Sequence, residues 1–148
     1  MSKSRAKRGS AATRKESDGH EQRAAYRDRM HRQFRSSLDS LGKSAAGAIS
    51  ADLKTFMRDW RSGMAEPDMN SVWDYKPVGD QKLGVKQIRV ATHYRVALMV
   101  VRGDHPCIWF LHAYRRKQGK SNRQEIPLAT GRARAIREEE HKDERARD

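Results

Sequence analysis

Apolar positions along this chain recur with two different periods, and each period predicts a different kind of element. Tyr26, Met30, Phe34, Leu38 and Leu41 return every three or four residues, which would line one face of a helix over residues 20–41. Arg27, Arg29, Arg32 and Arg35 lie mostly off that stripe, and Gly42 is a natural stop. Ile49, Leu53, Phe56, Met57 and Trp60 repeat the pattern and predict a second helix over 44–60, with Gly63 just past its end. Together the two predict a helical hairpin that covers one face of a sheet. The stretch from Ala65 to Asn70, with Pro67 inside it, reads as a loop, and Val72 to Lys76 as a short strand ended by Pro77.

Beyond the Val78-Gly79-Asp80 turn the period shortens to that of a strand. Residues 83–91, 93–101 and 107–114 read as three strands, the first pair joined tightly at Thr92 and the second by Arg102-Gly103-Asp104-His105. Consecutive hairpins make an antiparallel meander, which can pack helices on one face and leave the other wet. Asn122 followed by Glu125 resembles a capping box, with Pro127 tolerated in the first turn, and predicts a final helix over 123–139. Residues 141–148 alternate acid and base and are expected to fray. The predicted fold class is α+β: a helical hairpin on a small antiparallel sheet of three to four strands, plus a C-terminal helix.

Composition changes this picture at the ends. Only 36% of the residues are hydrophobic, below the roughly 45–50% of an ordinary globular chain, so part of the length is expected to stay solvated. Residues 1–19 are Ser, Ala, Lys, Arg and Gly without apolar period and read as a disordered basic tail, leaving a single domain over 20–140. The formal net charge is +13, with the excess spread over tail and body. Such a charge attracts phosphate backbones and favours nucleic acid as partner. The longest apolar run, Val96 to Val101, falls far short of the ~18 residues of a membrane span. No apolar stretch follows the basic N-terminus, so no secretory signal is read and a cytoplasmic location is expected. Cys107 lies mid-strand and reads as core packing.

Charge then limits the chemistry. Between Pro77 and Lys117 the only carboxylates are Asp80 and Asp104, both in predicted turns, and His93, His105 and His112 have no metal-ligand spacing. No CxxC, Walker loop, GxGxxG or GxSxG occurs, so neither a metal nor another cofactor is expected. Metal-free cleavage of RNA fits better, because the substrate's own 2′-OH is then the nucleophile. The protein supplies a general base, a general acid and cations for the phosphate. His112 and Tyr114 are two apart on one strand and share a face, while Arg89 and Arg95 on the adjoining strands can fork onto a phosphate. Arg115, Arg116, Lys117 and Lys120, with Arg123 beyond them, complete a cationic wall. The bland alternatives stay open: His112 as a hydrogen-bonded core histidine, Tyr114 as a packed strand-end aromatic, Arg89 and Arg95 as partners of Asp80 or Glu125. The general base is open too, since an ordinary His titrates near ~6.5 and a Tyr near ~10. Tyr114 would need neighbouring cations to ionise at neutral pH.

One family carries this order of fragments. Ile88-Arg89-Val90, His93-Tyr94-Arg95-Val96, the run from Phe110 to Lys117 and Glu125-Ile126-Pro127-Leu128-Ala129 together resemble the RelE/ParE toxin superfamily, especially its HigB-like, phage-derived branch. The resemblance covers about Leu38 to Arg137. It implies a toxin that cleaves mRNA on the ribosome, and a cognate antitoxin, often a helix-turn-helix protein, that blocks it. Position by position it implies phosphate-binding roles for Arg89 and Arg95, the aromatic position for Tyr114, the basic pair for Arg116 and Lys117, and the branch's Leu-His pair for His112. Members commonly open with a β-strand ahead of the helical hairpin. Here that region reads as helix, so either the sheet lacks an edge strand or Val72 to Lys76 supplies it. Two further functions remain as alternatives: a gyrase-directed toxin without cleavage chemistry, and a basic nucleic-acid-binding protein without toxicity.

Overall fold

The computed structural model of the chain describes residues 22–116 and 124–147. The predicted tail over 1–19 lies outside them, as do Lys117, Lys120, Asn122 and Arg123. The elements are β1 (Arg27–Met30), α1 (Phe34–Asp39), α2 (Lys43–Arg61), α3 (Glu66–Trp73), β2 (Lys76–Pro77), β3 (Val85–Val90), β4 (Tyr94–Val101), β5 (Cys107–Arg115) and α4 (Glu125–Arg147). Short 3-10 turns lie at Arg23–Ala25 and Gln81–Leu83.

The α+β class, the second helix and the three long strands agree with expectation, but the predicted first helix does not form. Residues 20–41 divide instead into a turn, strand β1 and the short helix α1. Tyr26, Phe34 and Leu38 are buried as the stripe requires, yet Met30 is 50% exposed. The reason is tertiary. β5 has an edge whose backbone groups need partners, and β1 meets them in a parallel ladder, with Arg27 N–H donating to Pro106 O and His31 N–H to Phe110 O. The charged run Arg27-Asp28-Arg29, entirely exposed, suits a short edge strand.

The sheet therefore has five strands in the order β1-β5-β4-β3-β2, mixed and not purely antiparallel. Its opening edge strand is present, and comes from Arg27–Met30 and not from residues 72–76. That second region is mostly helix: Pro67 sits in the first turn of α3 with Glu66 and Asp68, where its missing N–H costs nothing and the acids suit the helix dipole. Only Lys76–Pro77 remains as strand. At the other end α4 runs on to Arg147, through the residues expected to fray.

Nor does the sheet leave one face wet. On one side Ile88, Val96, Leu98, Ile108 and Phe110 pack against Phe34 and Leu38 of α1, Ile49, Phe56 and Trp60 of α2, and Met69 and Trp73 of α3. On the other, Val85, Ala97, Met99 and Leu111 pack against Ala129, Ala133 and Ile136 of α4. Cys107 is buried in this second core, as expected of a packing residue. Small residues on α4 let the helix lie close to the sheet. Gly79 docks the loop after β2 onto it, since a Cβ there would sit 2.6 Å from Thr130 Oγ1.

Candidate functional site

Register builds the site. Arg89 on β3 pairs with Arg95 on β4, which pairs with Tyr114 on β5, so these three form one row across the sheet. Gln87, Ala97 and His112 form the next row. A bulge shifts the β4–β5 register, with Ala97 opposite His112 but Leu98 opposite Phe110. Leu111 is the extra residue. Simple alternation from Phe110 would send His112 toward α1 and α2; the bulge turns it to the α4 side together with Tyr114. Their rings stack at 5.3 Å between centroids. The expectation that His112 and Tyr114 share a face is met; the bulge decides which face that is.

Burial and bonding separate these side chains into two kinds. Arg89, Arg115 and Arg116 are exposed, whereas Arg95 is 5% and His112 7% exposed and Tyr114 is buried. Tyr114 O–H donates to Gln87 Oε1 at 2.6 Å. Burial pushes the phenol well above its usual range, and the opposing pull of Arg95 is too small to reverse that. Tyr114 is thus a neutral hydrogen-bond donor at neutral pH. His112 Nε2 lies 2.7 Å from Glu125 Oε1, and Arg132, whose Nη1 donates to Leu111 O at 2.6 Å, lies 3.5 Å from His112 Nδ1. Burial pushes His112 below the usual histidine range; its bond to Glu125 acts against that and the Arg132 charge adds to it. The imidazole is neutral, with Nε2–H directed at the carboxylate.

Arg95 is the unusual member. Its Nη1 donates to Tyr94 O at 3.1 Å, and among the described residues it forms no ion pair with a carboxylate. Burial lowers its affinity for the proton, Arg116 and Arg89 lower it further, and Asp74 opposes them. A guanidinium keeps its proton even so. A buried cation beside like charges is costly unless an anion compensates it. Neither of the acids considered from sequence pairs the arginines: Asp80 accepts from Lys82 N–H, and Glu125 takes His112.

The β3–β4 hairpin fixes this row. Ala91 and Thr92 adopt left-handed backbone at φ 46° and 67°, a conformation that glycine usually takes. Asp52 of α2 holds the turn by accepting the Ala91 N–H at 2.8 Å, and His93 O accepts from Arg116 N–H at 2.9 Å. Exposed Arg116 is thereby tied to the end of the row.

Gln87, Arg132 and Asp52 were not among the residues singled out from sequence. Gln87 had a signal, since it stands two before Arg89 on one strand. Arg132 stands seven after Glu125, two helical turns on, and so shares its face. Asp52 had none, because its partner is a backbone amide far along the chain. Among the described residues no group of three or more His, Cys, Asp or Glu side chains is placed to hold a metal, and no helix is long and apolar enough to cross a membrane. No protein-family model matches the chain, and no curated protein matches it at a significant level.

Proposed function

We propose that this chain binds RNA phosphate on the Arg89, Arg95 and Arg116 cluster and acts as a metal-independent mRNA endoribonuclease, the toxin of a toxin–antitoxin pair. One observation carries the reading: Arg95 is a buried guanidinium, flanked by Arg89 and Arg116, without a carboxylate ion pair among the described residues. A phosphodiester supplies the missing anion, and a planar fork suits its two free oxygens. In cleavage the substrate 2′-OH attacks the adjacent phosphorus and the 5′-oxygen leaves, giving a 2′,3′-cyclic phosphate. The arginines hold the charge that builds on the phosphate oxygens. His112, neutral and oriented by Glu125, is the group suited to accept the 2′-OH proton; Tyr114, neutral and held by Gln87, is suited to donate. In this reading the substrate is mRNA on the translating ribosome, the location is the cytoplasm, and a helix-turn-helix antitoxin restrains the activity.

A second reading has its own support. His112 and Tyr114 are both buried and both bonded within the protein, which suits a phosphate-binding face that does not cleave. Brief induction followed by primer extension on total mRNA separates the two. Cuts inside translated frames that disappear in Arg89→Ala and in His112→Gln support the endoribonuclease. Growth arrest with intact messages and inhibited supercoiling would move the activity to gyrase. Unaffected growth, with RNA binding retained in His112→Gln, would leave a binding protein.

A further inference from the structure

Helix α4 brings two opposite charges to one imidazole. Glu125 and Arg132 stand seven residues apart, two turns along one face of the helix. Glu125 Oε1 meets His112 Nε2 at 2.7 Å, while Arg132 Nη1 stands 3.5 Å from Nδ1 of the same ring. The sheet anchors the guanidinium there, because the same Nη1 donates at 2.6 Å to the carbonyl of Leu111, the bulged residue. An ionised carboxylate only accepts, so it takes the hydrogen of Nε2. A guanidinium only donates, so Nδ1 must turn a lone pair to it. Both contacts favour the same tautomer.

They differ in what they do to a second proton. A carboxylate at this distance favours the imidazolium, and Glu125 by itself would draw a proton onto Nδ1. The Arg132 charge acts against this, in the same direction as burial. At 3.5 Å the contact with Nδ1 is long for a hydrogen bond, so the guanidinium acts on the ring mainly by its charge and leaves the lone pair open to a better-placed donor. Around the rest of the ring, β3 and β4 present Gln87 and Ala97 in its row and Arg95 one row on, and Tyr114 stacks on it. His31, directly after β1, is itself held below the usual histidine range by burial, Arg132 and Arg32.

We propose that Arg132 is a positioning residue for His112: with Glu125 on the other ring nitrogen it fixes the Nε2–H tautomer and keeps Nδ1 the unprotonated nitrogen, the one that takes the 2′-OH proton. Its part in cleavage rests on the endoribonuclease reading, whereas its hold on the ring does not.

The test uses the full chain labelled with 15N-histidine and long-range 1H–15N correlation, the His112 signals being those lost in His112→Gln. Above its titration midpoint the wild-type ring should carry its proton on Nε2. In Arg132→Met, which keeps the length and removes the charge, the midpoint should move up in pH, and in Glu125→Gln it should move down. Arg132→Lys should fall between the wild type and Arg132→Met. A residue that only buttressed the bulge would lower stability on substitution and leave the midpoint in place. Cleavage should follow the titration, its acid limb moving up in pH for Arg132→Met and down for Glu125→Gln. A wild-type spectrum with the proton on Nδ1 would overturn the proposal, and that reading needs no variant to fold. So would an unmoved or lowered midpoint in Arg132→Met. Absence of cleavage at every pH, with the titration shifts as expected, would overturn the endoribonuclease reading and leave the hold of Arg132 on His112 standing.

Discussion

At the scale of single residues, the polar groups already satisfied within the protein limit what the site can do. Tyr114 and Gln87 satisfy each other in a buried bond of 2.6 Å. Tyr114→Phe leaves the Gln87 oxygen buried and unpaired, and should cost about 1–3 kcal/mol in denaturant unfolding. If the phenol also serves as proton donor, cleavage should fall by more than this loss of stability explains. His112 gives a pH dependence with a definite sign. Its folded pKa lies below the ordinary ~6.5, so the unfolded chain takes up the proton first. The stability it supports is present above about pH 6.5 and declines as pH falls toward the lowered value. His31, also lowered by burial and by Arg132 and Arg32, acts in the same direction. Thermal unfolding across this range should show melting temperature dropping with acid, and His112→Gln should flatten part of the drop. A histidine whose folded pKa were raised by Glu125 would give the opposite slope. Much of this was legible beforehand: Arg89, Arg95, His112 and Tyr114 were all visible as polar residues on one sheet face. What they bond to was not, because Gln87 and Arg132 reach the site by register and by helix docking, which a period in sequence does not encode.

At the scale of elements, the bulge at Leu111 and the turn at Ala91–Thr92 set the site, and both depend on partners distant in sequence. Asp52→Ala removes the acceptor that holds the Ala91 N–H, a hydrogen bond to a charged group worth about 1.5–3 kcal/mol. The hairpin carries two non-glycine residues at positive φ, so Thr92→Gly should recover part of the loss. Unfolding of the two variants and their combination checks this; no recovery would mean that Asp52 serves α2 and not the turn. Gly79→Ala should also destabilise, by about 1–3 kcal/mol, because its Cβ meets Thr130 Oγ1 at 2.6 Å and its φ is +64°. Thr130→Ala should relieve only the contact. The elements divide in the same way as the residues. α2 and the three long strands follow periods that local chemistry enforces. β1 was hidden because Tyr26, Met30 and Phe34 stand four apart, which satisfies a helix, while the backbone of β5 decided otherwise. α3 was hidden by Pro67, a residue that interrupts a helix in its middle but is welcome in its first turn.

At the scale of the whole molecule, the sheet is covered by helices on both faces, and the proposed phosphate site lies at one end of its strands. The cations of Arg89, Arg95 and Arg116 gather at the β3–β4 hairpin end, and β1, at one edge of the sheet, pairs with the far half of β5. In the proposed function the hairpin end takes the phosphate of an RNA chain. The affinity for a short 2′-O-methyl RNA, which binds without being cut, titrated across salt concentrations, tests this. The wild-type chain, Arg89→Ala and Arg95→Gln are compared after unfolding curves establish that each is folded. Binding should be at least about tenfold weaker for each variant, with a salt slope shallower by about one counterion per arginine removed. Folded variants that bind with the wild-type affinity and slope would contradict it and return the attraction to the net charge of the chain.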